Sequence, residues 1–261
     1  MNLASSTTPR TPRPTVELEV VATERLGTQL VRVHLGGAGF ADFEDRPETD
    51  KYVKLQFLSD DEVPRPVTRT YTVRSVDHEA GTLALDFVVH GDEGIAGPWA
   101  AAAAPGDRLR LLGPGGGYRP DPAADWHLLV GDLSAVPAIA AALESLPELA
   151  VGAVIVEADS PEAVIDLPAP DGVSVRWIVD AEHDVAALAD GVRAVDWLDG
   201  QVQVFAHGER ESMKALRPVL YEERGLSRAQ VSLSGYWARG RTEDRFQAEK
   251  REPIGRIDPV D

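Results

Sequence analysis

Alternation marks the first half of the chain. Val16, Leu18 and Val20 are apolar where Glu17 and Glu19 are polar, the period of two that a half-buried strand requires. Val31, Val33 and Leu35 repeat it over Leu30–Leu35. Tyr52–Leu58, Arg69–Val76, Thr82–His90 and Asp107–Leu112 supply four more strands. Turn-forming stretches such as Leu35-Gly36-Gly37-Ala38-Gly39 separate them. One helix, predicted over Ala96–Ala104, interrupts the series and stops at Pro105-Gly106. Six strands at this spacing predict a small antiparallel barrel.

The second half changes period. Trp126–Gly131 is an apolar strand that leads into a stretch of helical composition, Ala135–Leu146. Val151–Val156, Val173–Val179, Val202–Ala206 and Val231–Ser234 read as further strands. Helical stretches fall between most of them, notably Val185–Arg193 and Glu209–Glu223. Strands that are apolar almost throughout, alternating with helices, predict a parallel doubly wound sheet. The expected fold is therefore a six-stranded antiparallel barrel over 15–120, then an α/β domain with a C-terminal extension over 121–261. The seam is placed in Tyr118–Asp125, a Pro/Asp/Ala stretch, and the polar, Pro/Thr-rich segment 1–14 is expected to be a disordered tail.

Composition narrows the partners. With 43 acidic against 26 basic residues, the formal charge is -17. So acidic a surface argues against nucleic acid and against docking on anionic lipid. It also repels an anionic small substrate unless a local basic patch reverses the sign. The chain has no cysteine, which excludes disulfides, thiolate metal sites and cysteine nucleophiles. Segment 1–14 lacks the apolar core of a signal peptide, and no run of about 18 apolar residues occurs. A cytoplasmic monomer without membrane insertion is expected.

Candidate chemistry begins at Arg69-Thr70-Tyr71-Thr72. On a strand, Arg69 and Tyr71 point the same way. A guanidinium takes a pyrophosphate in bidentate fashion, the phenol ring covers a flat heteroaromatic, and Thr72 can hydrogen-bond its edge. The same residues also read as an ordinary strand with an exposed Arg and a half-buried Tyr. Downstream, Asp92-Glu93-Gly94-Ile95-Ala96-Gly97-Pro98-Trp99 opens a helix, whose first N–H groups make a ready phosphate site. Gly113-Pro114-Gly115-Gly116-Gly117 allows close approach to a ligand, or serves as an interdomain hinge. The six histidines show no metal-ligand spacing, so no metal site is expected. Ser134 lacks the context of a nucleophile and reads as a helix N-cap. The acidic stretches Glu44–Asp50 and Asp60–Glu62 read as solvated loops.

The order of these motifs resembles the siderophore-interacting proteins, FAD-binding ferric-siderophore reductases of the ferredoxin–NADP reductase-like group. Leu129-Val130-Gly131-Asp132 followed by Ala135-Val136-Pro137-Ala138-Ile139 is similar to that family's nucleotide turn. Gly208-Glu209 and Ser234-Gly235-Tyr236-Trp237-Ala238-Arg239-Gly240 are similar to its later motifs. The resemblance spans roughly residues 15 to 245 and implies reduction of a ferric siderophore. Tyr71 and Thr72 would then stand nearest the chemistry. FAD would be bound by Arg69, Thr70, Tyr71, Thr72, Val88, His90, Gly91, Ile95, Ala96, Gly97 and Trp99. NADH or NADPH, with ferredoxin as the alternative donor, would meet Gly131, Asp132, Ser134, Gly208, Glu209 and Trp237. Lys54, Arg239 and Arg241 would form a basic pocket for the anionic chelate. Three positions depart from the family pattern: Gly97 stands for a hydroxylic residue, Leu133 for glutamate and His207 for alanine. A general flavin reductase, an oxygenase-partner reductase and a non-catalytic chelate-binding module are the competing readings.

Overall fold

In the computed structural model, which describes residues 15–59, 62–89 and 94–257, the alternating segments close into a barrel. Its strands are β1 (Thr15–Arg25), β2 (Leu30–Gly36), β3 (Tyr52–Leu58), β4 (Pro66–Asp77), β5 (Thr82–Val88) and β6 (Arg108–Gly115). They run in the order β1-β2-β5-β4-β3-β6, every pair antiparallel. Closure removes the sheet edges that would otherwise invite pairing with another chain. Val16, Leu18, Val33, Leu35, Val53, Leu55, Leu85, Phe87, Leu109 and Leu111 fill the interior. On the outer face Glu17 and Glu19 pair with Arg108 and Arg110 across β1 and β6. A short helix, α1 (Ala96–Ala102), packs on the barrel core through buried Ala96 and Ala100.

The second half is a five-stranded parallel sheet. It contains β7 (Trp126–Asp132), β8 (Val151–Ala158), β9 (Gly172–Val179), β10 (Val202–Glu209) and β11 (Val231–Trp237), in the order β11-β10-β7-β8-β9. Helix α2 (Val136–Ser145) covers one face, against Leu129, Val154, Val156 and Phe205. Helices α3 (Ala187–Arg193) and α4 (Arg210–Pro218) cover the other, against Leu128, Val130, Ile155 and Val204. Burial on both faces is why these strands are apolar throughout instead of alternating. The chain winds outward from β7 to β9, then returns to the other side of β7 as β10. That reversal opens a crevice at the carboxyl ends of β7 and β10, where such sheets bind ligands. A last helix, α5 (Glu243–Glu249), follows β11.

Barrel and sheet share a core, since Leu30 of β2 is buried among the α2-side residues. Arg74 of β4 pairs with Glu144 of α2, and Gln29 donates to Asp159 at 2.8 Å. Among the described residues no helix is long and apolar enough to cross a membrane.

Several local expectations change. The glycine run does not simply follow the last barrel strand, because β6 continues through Gly115. A Cβ there would lie 2.7 Å from the Tyr52 ring, so close packing explains the glycine. Tyr118, placed in the linker, is buried against Phe205 with ring centroids 4.9 Å apart. Asp50 is not a solvated carboxylate. It is buried and accepts the N–H groups of Gly117 and Tyr118, each at 2.8 Å. Between β8 and β9 there is only a 3-10 turn, Pro161–Ala163, and the helix predicted over Glu209–Glu223 becomes a π-turn at Val219–Glu223. Segment 1–14 lies outside the described residues.

Candidate functional site

A cavity of about 450 Å³ opens where the barrel meets the crevice of the sheet. Lys54 and Tyr52 of β3, Thr70, Tyr71 and Thr72 of β4, and Asp86 and Val88 of β5 form the barrel wall. Ser134, Pro137, His207, Ser234, Tyr236 and Trp237 form the sheet wall, and Glu243, Gln247 and Lys250 contribute from α5 or just beyond it. Its volume lies within the usual range for small-molecule sites.

Strand register builds the barrel wall. Thr70 stands opposite Lys54 and Thr72 opposite Tyr52, so these four share one face. Tyr71 stands opposite buried Val53, and its ring packs on Phe87 with centroids 4.3 Å apart. Burial, with Glu243 nearby, pushes the Tyr71 phenol well above its ordinary range, so it stays neutral. Asp86 is satisfied by Arg32 of β2, whose Nε and Nη2 donate to its two oxygens at 2.7 and 2.9 Å. Lys250 lies 4.7 Å from the Phe246 ring centroid. Burial lowers its pKa, and Lys54 adds to that shift while Glu243 opposes it. Two lysines therefore face one cavity in a molecule of strongly negative charge.

The sheet wall is organised around Asp132, which ends β7. Its Oδ1 accepts from Ser134 N at 2.9 Å and Ser134 Oγ at 2.5 Å. Its Oδ2 accepts from Glu209 N at 2.7 Å and from the Trp237 indole at 2.8 Å. Burial pushes this carboxyl up, and the four donors oppose that shift. Two glycines make the hub possible. A Cβ on Gly208 would lie 2.8 Å from Asp132 Oδ2, and one on Gly131 would lie 2.6 Å from the His207 carbonyl. Ser134 is thus bonded to Asp132 and does not cap α2, whose N-cap position is Ala135. Glu209 caps α4 by accepting from Glu211 N and Ser212 N, and it also accepts from Arg239 N. His207 packs on Phe205 with centroids 4.0 Å apart and shares a hydrogen bond with Ser232 Oγ at 2.9 Å. Burial, helped by Lys250, drops its pKa to about 3, so its ring is neutral. On β8, burial and the charges of Asp132 and Asp180 raise Glu157 to about 7.

The structure brings Lys54, Thr70, Tyr71, Thr72, Val88, Ser134 and Trp237 into one cavity. Gly131, Asp132, Gly208 and Glu209 lie directly behind its sheet wall, as the Asp132 bonds show. Ile95, Ala96, Gly97 and Trp99 do not line it. Ala96 is buried in the barrel core, and Trp99 meets Phe57 and Phe87 at centroid distances of 5.6 and 5.7 Å. A Cβ on Gly97 would lie 3.3 Å from the Val88 carbonyl, close beneath the cavity wall. Arg69 is turned to α5, and His90 and Gly91 lie outside the described residues. The expected basic trio does not assemble. Arg239 lies over the Trp237 ring at 5.3 Å, and Arg241 is bonded to Glu249 at 2.9 Å together with Arg210 and Arg245. Lys250 takes the place beside Lys54. Sequence reasoning missed Lys250, Glu243, Gln247 and Tyr236. The first three lie in the C-terminal extension, beyond the motif-bearing stretch. Tyr236 stood in the same motif as Trp237, and its buried phenol has Thr72 as a hydrogen-bonding neighbour.

An aromatic ring, flanking hydroxyls and two cations suit a flat heteroaromatic with polar edges and an anionic partner, so the residues present are compatible with a bound flavin. Comparison with known proteins points the same way. Residues 59–118 match the model of the siderophore-interacting FAD-binding domain, and residues 124–240 match that of the siderophore-interacting protein. An uncharacterized Mycobacterium tuberculosis protein is 47% identical over 92% of this chain and 96% of its own length. The ferric vibriobactin reductase ViuB of Vibrio cholerae is 39% identical over 71% of this chain and 70% of its own. The crystal structure of a siderophore utilization protein from T. fusca superposes with a TM-score of 0.79 and is 34% identical, covering 88% of this chain and 95% of that one.

Proposed function

This chain belongs to the siderophore-interacting protein family, and from that premise we propose that it is an FAD-dependent reductase of ferric siderophores that takes electrons from NADH or NADPH. The observation that carries the reading is one cavity shared by two walls. The Tyr71–Thr72 strand forms one, and the crevice of a parallel nucleotide-type sheet forms the other. Ferric reduction is also the activity named for the Vibrio cholerae relative.

Tyr71 would cover the isoalloxazine ring, Thr72 would hydrogen-bond its edge and Arg69 would take the diphosphate. The nicotinamide end of the donor would enter from the sheet side, beside Trp237 and above the Gly131–Asp132 turn. Bound in this way, the flavin supplies the passage from two-electron hydride chemistry to one-electron reduction of iron. Lys54 and Lys250 supply the local positive field that an anionic chelate needs against a net charge of -17. Iron(III), a hard cation, is held by hydroxamate, catecholate or carboxylate oxygens. Iron(II) favours softer ligands, so reduction loosens the chelate and releases metal to the cytoplasm.

The test is the visible spectrum of purified protein, followed without oxygen as NADH, NADPH and then a ferric chelate are added. One FAD per chain, bleached by a nicotinamide nucleotide and recoloured by the chelate, is expected. Colourless protein that FAD does not reconstitute would overturn the proposal. Flavin that only reduced ferredoxin bleaches would reassign the donor.

A further inference from the structure

Among the described residues, β4 pairs with β5 only from Val73 to Asp77, and no backbone acceptor meets the Thr70 N–H on that side. A side chain from the far end of the chain meets it. Glu243, the first residue of α5, accepts the Thr70 N–H at 2.9 Å. Its other oxygen lies 4.0 Å from Arg69 Nε, and the neighbouring Asp244 is 3.5 Å from Arg69 Nη1. Arg69 also donates to the Thr68 carbonyl at 2.9 Å. A guanidinium beside an open main-chain N–H is the donor set that binds a diphosphate. Here two carboxylates occupy it.

The helix is held in this position from its other end. Phe246 is buried at 2% exposure, and Glu249 accepts from Arg210 at 2.6 Å and from Arg241 and Arg245 at 2.9 Å each. The anchor is therefore tight on the sheet side. On the barrel side the two ion pairs are long, Asp244 is 72% exposed, and burial raises the Glu243 pKa. A firmly anchored helix thus ends with Glu243 fixed to Thr70, while Arg69 is reached only by long ion pairs.

We infer that α5 is part of the flavin site and that Glu243 and Asp244 compete with the FAD diphosphate for Arg69, setting the affinity of the chain for its cofactor. The inference rests on the reading that Arg69 holds the diphosphate. Glu243 is then an affinity-setting residue whose carboxylate must leave Arg69 as the flavin seats, while α5 remains as one wall of the cavity.

The test is a fluorescence titration of the flavin-stripped full chain with FAD and, separately, with riboflavin, which has no phosphate. Glu243→Gln combined with Asp244→Asn removes both charges and keeps an acceptor for the Thr70 N–H. FAD affinity is expected to rise about fivefold to tenfold, the scale of one or two partly exposed ion pairs. Riboflavin affinity should stay the same. Unchanged or weaker FAD binding, or an equal gain for riboflavin, would overturn the competition. Arg69→Ala separates the two claims. If it weakens FAD binding while the double amide variant gains nothing, the diphosphate reading stands and the competition falls. If it leaves FAD binding unchanged, both fall.

Discussion

The two walls of the cavity use their polar side chains differently. On the sheet side, Asp132 accepts four hydrogen bonds, and Glu209 caps α4 while also binding the Arg239 N–H. These residues stand at strand ends and helix starts, where backbone N–H groups have lost their ladder partners and side chains must satisfy them. On the barrel side, Lys54, Tyr71 and Thr72 sit within a backbone ladder that β3 and β4 already complete. That ladder does not depend on their functional groups, although the Tyr71 ring packs on Phe87 and Thr72 is a hydrogen-bonding neighbour of Tyr236. A motif at a strand end is therefore partly structural even when it marks a binding crevice, whereas one in mid-strand can present its side chains to a ligand.

The sharpest way to break this contrast is Asp132→Ala. It removes the acceptor of three N–H groups and one hydroxyl at a buried position, at about 1–3 kcal/mol for each donor left unpaired. A large fall in the urea midpoint is expected. Unchanged stability with a selective loss of nicotinamide nucleotide binding would make Asp132 a ligand, and the contrast would fail. On the opposite wall, Tyr71→Ala should weaken FAD binding by roughly 1–3 kcal/mol, the scale of a lost aromatic stacking partner. Equilibrium titration checks this, and unchanged affinity would remove Tyr71 from the site.

A smaller effect separates flavin from substrate. Lys54→Glu should raise KM for an anionic ferric siderophore, affect a neutral chelate much less, and leave flavin reduction by NADH or NADPH nearly unchanged. Steady-state turnover paired with stopped-flow flavin reduction measures both halves. Equal loss in both would place Lys54 with the flavin or the fold.

A pH-dependent effect sharpens the acidic side. Glu157 titrates near 7 in the folded chain, above its ordinary 4.5, so the folded state binds the proton more tightly than the unfolded state. Its contribution to stability is full below the unfolded value and is lost as pH rises through about 7. Glu157→Gln should therefore gain stability over the wild type at pH 8 and lose that advantage near pH 4.5, as urea unfolding at the two pH values would show.

Much of the frame was legible from the residues. Tyr52–Leu58 has the same bounds as β3, and Val16, Leu18 and Val20 face inward as their alternation requires. A period of two is a local property of the strand itself, read from neighbouring residues. The near-continuous apolar runs of β7 and β10 are likewise read from neighbouring residues. Side-chain partners are a different matter. Ser134 looked like a cap and became a donor to Asp132, because β7, β10 and β11 bring their ends together there. Arg241 and Arg239 looked like members of a substrate patch, but the C-terminal segment turned them to Glu249 and Trp237 and put Lys250 beside Lys54. The Trp237–Asp132 bond spans 105 positions and the Thr70–Glu243 bond 173. The sequence by itself determined the two architectures and the strand that faces the cavity, because hydrophobic period and turn chemistry act over a few residues. Only the tertiary structure decided which charges remain open to a ligand, because that depends on which distant carboxylate or guanidinium the fold delivers to each one.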